Sequence, residues 1–334
     1  MYRVWYDEST WAPIRAQLRS DFNAFDELTR AQFISDAIAL RERGSLPWSR
    51  VIEFASYLSK ETEFAPHYAF KSVRDQLMSA FKNTADTPKI NKYIQRTFET
   101  AYDIGWANNT DWTMAALATL ATNGMCKTAL PECLEKTKTL FEQFLTNCQY
   151  STTGTGLCNS EVRPDVRRTQ YCYGLAQTPT GHELVNRLYE WFKTNSHYFH
   201  RDADNLLNAM ACTTDDDKMN SFISDIVEGK YPESALHMVA VHDTTDHVLW
   251  NYFKLNTEQV IYGVPSFNSY MTAAVGTWNQ AENIKEMDDF IAGIELSGDN
   301  LAVINELKKN IQQNIDWLAK NRDEIMTAIE QELQ

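Results

Sequence analysis

Glycine and proline are scarce in this sequence, with 12 and 9 residues among 334. An all-β fold requires many tight turns, which these two residue types supply, so their shortage disfavours an all-β protein. Long hydrophobic runs are missing too, since no stretch approaches the roughly 20 uninterrupted apolar residues of a membrane-spanning helix. Met1 to Val4 lead straight into a patterned segment without a signal peptide, and we therefore expect the chain to be part of a longer protein.

Positive charge is also in short supply. The chain has 31 Lys and Arg against 45 Asp and Glu, which gives a formal net charge of −14. Such a surface repels phosphate backbones, and no basic stripe compensates for it, so we expect no nucleic-acid partner. Hydrophobic residues make up 43% of the sequence and include 9 Trp, 15 Tyr and 16 Phe. This is enough material for a continuous core, and it excludes a disordered chain.

The sequence lacks the common catalytic signatures. It contains no GxSxG nucleophile turn, no GxxxxGK[ST] phosphate loop and no GxGxxG dinucleotide turn. His182-Glu183-Leu184-Val185-Asn186 begins like the HExxH zinc motif, but Asn186 stands where the second His would be. Without the second His, the helix no longer presents two zinc ligands on one face. We therefore interpret His182 as a residue that begins a helix.

Two further groups of residues combine types that bind metals, namely His197, His200, Asp202 and Asp204 at a helix junction, and His237, His242 and His247. A spacing of five turns successive residues by about 140° around a helix, so the second group cannot share one face unless the helix breaks. At a helix junction Asp also caps and His also packs, which is the simpler explanation of the first group. Asp215 to Asp217 likewise complement a helix dipole without any further function. We therefore predict no catalytic and no metal-binding residue in this chain.

Helical spacing of apolar residues dominates the chain. Tyr2 to Tyr6 alternates aromatic and polar residues, which predicts a short strand at 2–6. Ser9 is the predicted N-cap of a helix whose apolar spacing begins at Trp11. We predict further helices at 29–42, 47–58, 66–82, 88–106, 111–122, 131–146, 164–177, 181–194, 202–212, 216–228, 233–242, 245–254, 267–276, 281–295 and 300–332.

Many modest helices with short connections predict an all-α fold. We expect antiparallel helix pairs stacked as a curved HEAT/armadillo-like solenoid, although no clean repeat of about 40 residues is visible. Such an array can be long and still be one unit, because each layer contacts only its neighbours. We therefore predict that residues 1–334 form one domain. A Thr- and Gly-rich stretch at 147–162 is a possible boundary between two halves.

The cysteines show no CxxC spacing, which disfavours zinc fingers and thioredoxin-like chemistry. The six are Cys126, Cys133, Cys148, Cys158, Cys172 and Cys212. On one unbroken helix Cys126 and Cys133 would lie about 10 Å apart, too far for a disulfide, whereas a turn near Pro131 would bring them within range. Spacing alone leaves open both disulfides and buried free thiols in a cytosolic protein. Asn108 begins a glycosylation sequon, which favours an oxidising compartment.

Five segments together resemble the C-terminal domain of the aminopeptidase N and endoplasmic-reticulum aminopeptidase family, the gluzincin zinc aminopeptidases. They are Tyr2-Arg3-Val4-Trp5-Tyr6-Asp7-Glu8 with Trp11, Arg30-Ala31-Gln32-Phe33-Ile34-Ser35-Asp36-Ala37, Lys60-Glu61-Thr62-Glu63 with Pro66, Arg163-Pro164-Asp165-Val166-Arg167-Arg168-Thr169 with Tyr171-Cys172, and Asn314-Ile315-Asp316-Trp317 with Lys320-Asn321. We call these the family segments. They follow the family's order from residue 2 to near the end of the chain.

The resemblance implies a helical bowl that covers the active site, walls the peptide-substrate cavity and mediates dimerisation. The family's zinc motif and its GxMEN exopeptidase motif lie in earlier domains, and this sequence contains neither. The resemblance therefore implies a zinc cofactor in the parent's catalytic domain and none in this chain. The implied partners are that catalytic domain, the end of a peptide substrate and a second copy of the protein.

The resemblance also implies the pairing of the cysteines. Cys126–Cys133 and Cys172–Cys212 fit the family's two pairs, which leaves Cys148–Cys158 as an additional disulfide. Such disulfides imply an extracellular or lumenal location, as part of a membrane-anchored, glycosylated ectoenzyme.

Some positions depart from the family's pattern. A Tyr-Lys pair of relatives that sense long peptides aligns with Met78-Ser79, and an Arg aligns with Thr213, so two cations for a peptide carboxylate are missing. The segment Gly276–Gln280 resembles the cavity wall, and Gln280 and Trp278 are its candidate substrate contacts. The alternative function is an interaction domain in a homologue that has lost its zinc site and acts in adhesion or as a receptor-like protein.

Overall fold

The computed structural model describes residues 3–107, 111–148, 163–195, 200–243 and 247–334. Within these residues all regular secondary structure is helical, which confirms the all-α class. The α-helices are α1 (Glu8–Ser20), α2 (Glu27–Glu42), α3 (Trp48–Phe54), α4 (Phe64–Ala69), α5 (Lys71–Ala80), α6 (Thr87–Thr97), α7 (Glu99–Trp106), α8 (Trp112–Lys127), α9 (Pro131–Asn147), α10 (Pro164–Gln177), α11 (His182–Asn195), α12 (His200–Met210), α13 (Asp216–Val227), α14 (Ser234–His242), α15 (Val248–Leu255), α16 (Thr257–Gly263), α17 (Phe267–Val275), α18 (Ala281–Ile291) and α19 (Gly298–Leu333). Short 3-10 helices cover Phe22–Ala24, Ala55–Lys60 and Pro179–Gly181. None of the described helices is both long enough and apolar enough to cross a membrane. The curved solenoid stays a prediction.

Aspartate caps begin several helices. The Asp7 carboxylate accepts a hydrogen bond from the Thr10 amide at 2.9 Å and starts α1, and Asp26 and Asp111 start α2 and α8 in the same way. The predicted cap, Ser9, instead donates its hydroxyl to Asp7 at 2.8 Å. The N-cap prediction was therefore two residues late, because the charged Asp7 side chain satisfies the first amides of the helix better than a hydroxyl does.

The predicted helix at 66–82 is divided at Phe70 into α4 and α5, and the predicted helix at 88–106 is divided at Phe98 into α6 and α7. Both phenylalanines are buried, so the apolar pattern runs across each break and does not reveal it. The predicted strand at 2–6 is absent from residues 3–6, and residue 2 lies outside the described residues. A strand needs a second strand for its hydrogen bonds, and no described segment of this chain provides one.

The chain divides into two compact units. Unit 1 consists of Met1–Cys133 with Leu318–Gln334, and unit 2 consists of Leu134–Trp317. The change from one unit to the other thus falls near the start of α9 and late in α19. Residues 149–162 lie outside the described residues, so the possible boundary at 147–162 and the single domain stay predictions.

Unit 1 joins segments that are distant in sequence. Its aromatic core is centred on Trp11, whose ring centroid lies 4.6 Å from that of Phe54 and 6.3 Å from that of Phe33. The last part of α19 belongs to the same unit, and Arg322 forms a two-pronged ion pair with Asp86, with N···O distances of 2.6 and 3.0 Å. Residues separated by more than 200 positions therefore stabilise one another here.

Unit 2 contains a large aromatic core and a close helix crossing. Trp250 packs edge-on against Trp278 at a centroid distance of 5.4 Å. Where α9 and α10 cross, a Cβ atom at Gly174 would overlap Phe141 Cβ and lie 2.9 Å from the carbonyl oxygen of Thr137. Only glycine allows this approach, because the opposing atoms include backbone.

Two disulfides of the structure are the pairs that the family resemblance implies. Cys126–Cys133 spans the turn between α8 and α9, where Ala129 takes a φ of 57° and ends the helix. Cys172–Cys212 joins α10 to the residue that lies two positions after α12, with 5.2 Å between the Cα atoms. These two pairings are confirmed. Cys158 lies outside the described residues, so the third pairing stays a prediction.

Candidate functional site

The segment Gly276–Gln280, between α17 and α18, is the candidate cavity wall. Asn314 of α19 donates both of its amide hydrogens to this segment, at 3.2 Å to the Gly276 carbonyl and 2.9 Å to the Trp278 carbonyl. Gln280 is the N-cap residue of α18, and its amide donates to Asn283 Oδ1 at 3.2 Å. The backbone of the segment is therefore fixed at both ends, which is what a shaped wall requires.

Trp278 and Gln280 differ in exposure although they are two residues apart. The Trp278 indole is 1% exposed and packs against His247 and Trp250, with centroid distances of 5.4 Å to each ring. Gln280 is partly buried. Trp278 thus supports the segment from the core side, and Gln280 is the better placed of the two for contact with a ligand. Substrate contact stays a prediction for both.

The remaining candidates lie in different units. Thr213 is buried in unit 2, and its hydroxyl oxygen accepts a hydrogen bond from the Asp215 amide at 3.3 Å. Met78 and Ser79 lie on α5 of unit 1, where Met78 is partly buried and Ser79 is exposed. Their roles at a peptide end also stay predictions.

The HExxH-like segment does not fit a zinc ion. Asn186, at the position of the missing His, accepts a hydrogen bond from the Tyr231 hydroxyl at 2.7 Å. His182 lies at the first turn of α11, and burial, followed by the charge of Lys218, lowers its pKa. The segment begins a helix and anchors Tyr231.

The predicted metal-like groups are also separated or engaged elsewhere. Asp202 pairs with Arg167 at 3.4 Å, whereas His197 and the side chain of His200 lie outside the described residues. His237 is exposed, His242 contacts α10, and His247 packs on Trp278. Asp215 caps α13 by accepting from the Lys218 amide at 3.0 Å, as the helix-dipole interpretation of Asp215 to Asp217 predicts.

A buried ion pair in unit 1 was not predicted from the sequence. Arg30 Nε and Nη2 donate to the two carboxylate oxygens of Glu61 at 2.7 and 2.9 Å, and the side chains are 4% and 0% exposed. Glu61 Oε1 also accepts from the amides of Thr62 and Glu63 at 2.9 and 3.0 Å. Both residues belong to family segments, so two of these segments meet in one buried hydrogen-bonded pair.

A buried histidine adjoins this pair. His67 Nε2 lies 3.3 Å from the Glu61 carbonyl oxygen, and its Nδ1 lies 2.9 Å from Arg74 Nη2. Because arginine only donates, Nδ1 must accept, and the proton of the neutral ring is on Nε2. Burial and the Arg74 charge hold the pKa of His67 well below its usual range.

We expect this histidine to make unit 1 sensitive to acid. Since the pKa of His67 is lower in the folded than in the unfolded chain, the unfolded state takes up the proton first, and stability falls as the pH drops below about 6.5. The loss should approach about 1.4 kcal/mol for each pH unit until the folded form itself is protonated. His67→Asn keeps an acceptor for Arg74 and should flatten this dependence in urea unfolding between pH 7 and about 5. His237→Asn, an exposed control, should not, and an equal slope in all three proteins would contradict the prediction.

Comparison with known proteins shows the family. The family described as ERAP1-like C-terminal domain matches residues 1–313. The chain belongs to that family. It is 30% identical over 327 residues to "Putative aminopeptidase-2" of Caenorhabditis elegans, and 23% identical over 349 residues to aminopeptidase N of Homo sapiens. It is also 22% identical over 341 residues to glutamyl aminopeptidase of Bitis rhinoceros.

These alignments include nearly all of this ERAP1-like C-terminal domain but a small part of each relative. They cover 95%, 97% and 98% of the domain, and 17%, 34% and 34% of the respective relatives. The domain therefore corresponds to a limited portion of proteins named as aminopeptidases.

The geometry gives the family segments of this ERAP1-like domain a structural role. Arg3 Nη1 of the first segment pairs at 3.2 Å with Asp36 of the second, and Arg30 of the second pairs with Glu61 of the third. Asn314 of the last segment holds the candidate cavity wall. The sequence identified the segments that contain these residues, but it did not show which residues of different segments contact one another.

Proposed function

We propose that this domain is a non-catalytic part of an aminopeptidase, in which it walls the cavity that receives the peptide substrate. The observation that carries the proposal is the family match over residues 1–313, together with a cavity-wall segment whose backbone Asn314 fixes. A wall of this kind excludes water and positions the distant end of a peptide, while the chemistry takes place in another domain.

Within this proposal Gln280 is the substrate contact. Its side chain accepts from the Asn283 backbone amide in the capping box of α18, and the amide group of the same side chain is a donor suited to a peptide carbonyl. Trp278 acts through packing, because its ring is buried. Met78, Ser79 and Thr213 carry no cation, so recognition of a long peptide's terminal carboxylate is not part of the proposal.

The disulfides of both units favour an oxidising, extracellular or lumenal compartment for this domain. The zinc that takes part in catalysis would be held by the parent's catalytic domain. The catalytic domain, the peptide end and a second copy of the protein are the proposed partners. Asn108, the proposed glycosylation site, lies outside the described residues.

The test compares Gln280→Ala with the wild type in the full-length parent. If Gln280 contributes one hydrogen bond to bound peptide, the variant should raise KM by about 2- to 10-fold with little change in kcat. The measurement is a series of peptides of increasing length. The matched control is Gln313→Ala, which removes an exposed glutamine from α19 of the same unit.

The outcomes separate the two functions considered. An unchanged KM for every peptide would remove Gln280 from the cavity wall. A full-length parent that binds no zinc and cleaves no peptide would instead support an interaction domain that acts in adhesion or as part of a receptor-like protein. Capture of its partner would then be the next experiment.

A further inference from the structure

Three potential metal ligands meet beside α10 in unit 2. The two sulfur atoms of Cys172 and Cys212 and a ring nitrogen of His242 all lie within 4.8 Å of one another. The cysteines are 1% and 7% exposed, whereas His242 is partly exposed at the end of α14. In the structure the two sulfurs form a disulfide and therefore cannot bind a metal ion.

The orientation of His242 is set by a second residue. Its Nε2 lies 3.1 Å from Asn208 Oδ1, which also accepts a hydrogen bond from Arg168 Nη2 at 2.5 Å. Because Arg168 can only donate, this atom of Asn208 is the oxygen, and His242 Nε2 carries the proton. The lone pair is then on Nδ1, which lies 3.6 Å from Cys172 Sγ. A metal-binding His commonly has its other nitrogen fixed in this way.

We propose that reduction of the Cys172–Cys212 disulfide creates a zinc site, with the two thiolates and His242 Nδ1 as ligands and water in the fourth position. Three protein ligands of the Cys₂His type with an open position form an established class of zinc coordination. The proposal does not rest on the function proposed above, since its three ligands are not among the residues assigned to the cavity wall.

The electron and proton balance is simple. A dithiol reductant attacks one sulfur of the disulfide as thiolate and expels the other cysteine as thiolate. Its second thiol then displaces the first cysteine, so that the dithiol becomes a disulfide and the protein gains two electrons and two protons. Binding of Zn²⁺ releases those two protons to solvent and leaves a site with no net charge.

The surroundings of Cys172–Cys212 favour its conversion from a disulfide to a zinc site. The His242 ring lies 3.6 Å from Cys172 Sγ, and Arg168 bonds to Asn208, the residue that also contacts His242. Positive charge near a cysteine stabilises its thiolate. The sulfurs have to rotate apart to reach Zn–S distances of about 2.3 Å, and the partly exposed side of His242 gives the ion access. Among the described residues, no comparable group includes Cys126 and Cys133, which makes that disulfide the internal control.

The experiment reduces the full chain with a trialkylphosphine, which takes up oxygen from water as it delivers two electrons, and then titrates zinc against a chromophoric chelator. We expect binding of one zinc ion that X-ray absorption assigns to two sulfurs and one imidazole. His242→Gln should weaken that binding by more than about 10-fold, and Asn208→Ala by about 10- to 100-fold. His237→Gln and the double variant Cys126→Ser/Cys133→Ser should bind zinc as the wild type does.

Several results would overturn the proposal. Equal affinity in His242→Gln and the wild type, or a zinc spectrum without imidazole, would place the ion on other thiols. A reduced chain that takes up no zinc would also reject it. Since reduction can unfold the chain, circular dichroism and thermal unfolding accompany the titration. Zinc should raise the Tm of the reduced wild type but not that of reduced His242→Gln, and a reduced chain that zinc fails to refold counts against the site.

Discussion

Exchange of Glu61 for Gln is expected to lower the free energy of unfolding of unit 1 by about 3 to 5 kcal/mol. Glutamine keeps the shape of the side chain and can still accept from the amides of Thr62 and Glu63. It leaves the Arg30 guanidinium, which is almost completely buried, without its counter-charge. An unpaired buried cation is much more costly than the pair, because its lost hydration is no longer offset by a hydrogen-bonded counter-charge. Hydrogen exchange of the α2 amides measures the effect within unit 1.

A double-mutant cycle identifies the cause. Arg30→Met alone should be about as harmful as Glu61→Gln, whereas the double variant should lose much less than the sum of the two. The exposed pair Lys285–Asp289 is the control, since Asp289→Asn should change stability by less than about 0.5 kcal/mol. Additive losses in the cycle would show that Arg30 and Glu61 act separately and would contradict the prediction.

Replacement of Gly174 by Ala is expected to destabilise unit 2 by about 3 kcal/mol, at the upper end of the range for overpacked sites. The added Cβ would lie 2.7 Å from Phe141 Cγ and 2.9 Å from the Thr137 carbonyl oxygen, so helices α9 and α10 must move apart. The better helix propensity of alanine offsets only about 1 kcal/mol of this loss. Thermal and urea unfolding, with amide exchange of α10, provide the measurement.

The control for this substitution lies in the same unit. Gly298 begins α19, and a Cβ there would have no neighbour within 4 Å. Gly298→Ala should therefore leave stability unchanged or slightly higher. If both alanine variants unfold at the same urea concentration, the close approach at Gly174 is not the constraint that the distances indicate.

The sequence was a good guide to where helices are and a poor guide to where they break. Apolar spacing predicted α2, α9, α10 and α13 within a few residues. It failed at Phe70 and Phe98, since a buried aromatic residue fits the pattern equally well on either side of a turn. The short α16 was missed because its seven residues include only one buried side chain, Val260.

The site residues show the same division between local and long-range information. The turn that permits Cys126–Cys133 could be anticipated from Pro131, whereas the partner of Cys172 came from the family resemblance. Nothing local marks Glu61 as the partner of Arg30, since 31 residues separate them and the contact depends on how α2 packs. The burial of Trp278 could not be predicted from the sequence either, because a tryptophan near a polar residue is compatible with both a core and a binding surface.

The discontinuous composition of unit 1 has a consequence for biosynthesis. Its closing segment, Leu318–Gln334, leaves the ribosome only after all 184 residues of unit 2, Leu134–Trp317, have been made. Until then Asp86 lacks Arg322, and the core positions that Ile325 and Ile329 occupy in the finished unit are unfilled. Residues 1–133 therefore remain part of an incomplete unit while residues 134–317 are being made. Loss of Leu318–Gln334 would therefore leave incomplete a unit whose other residues are translated before those of unit 2.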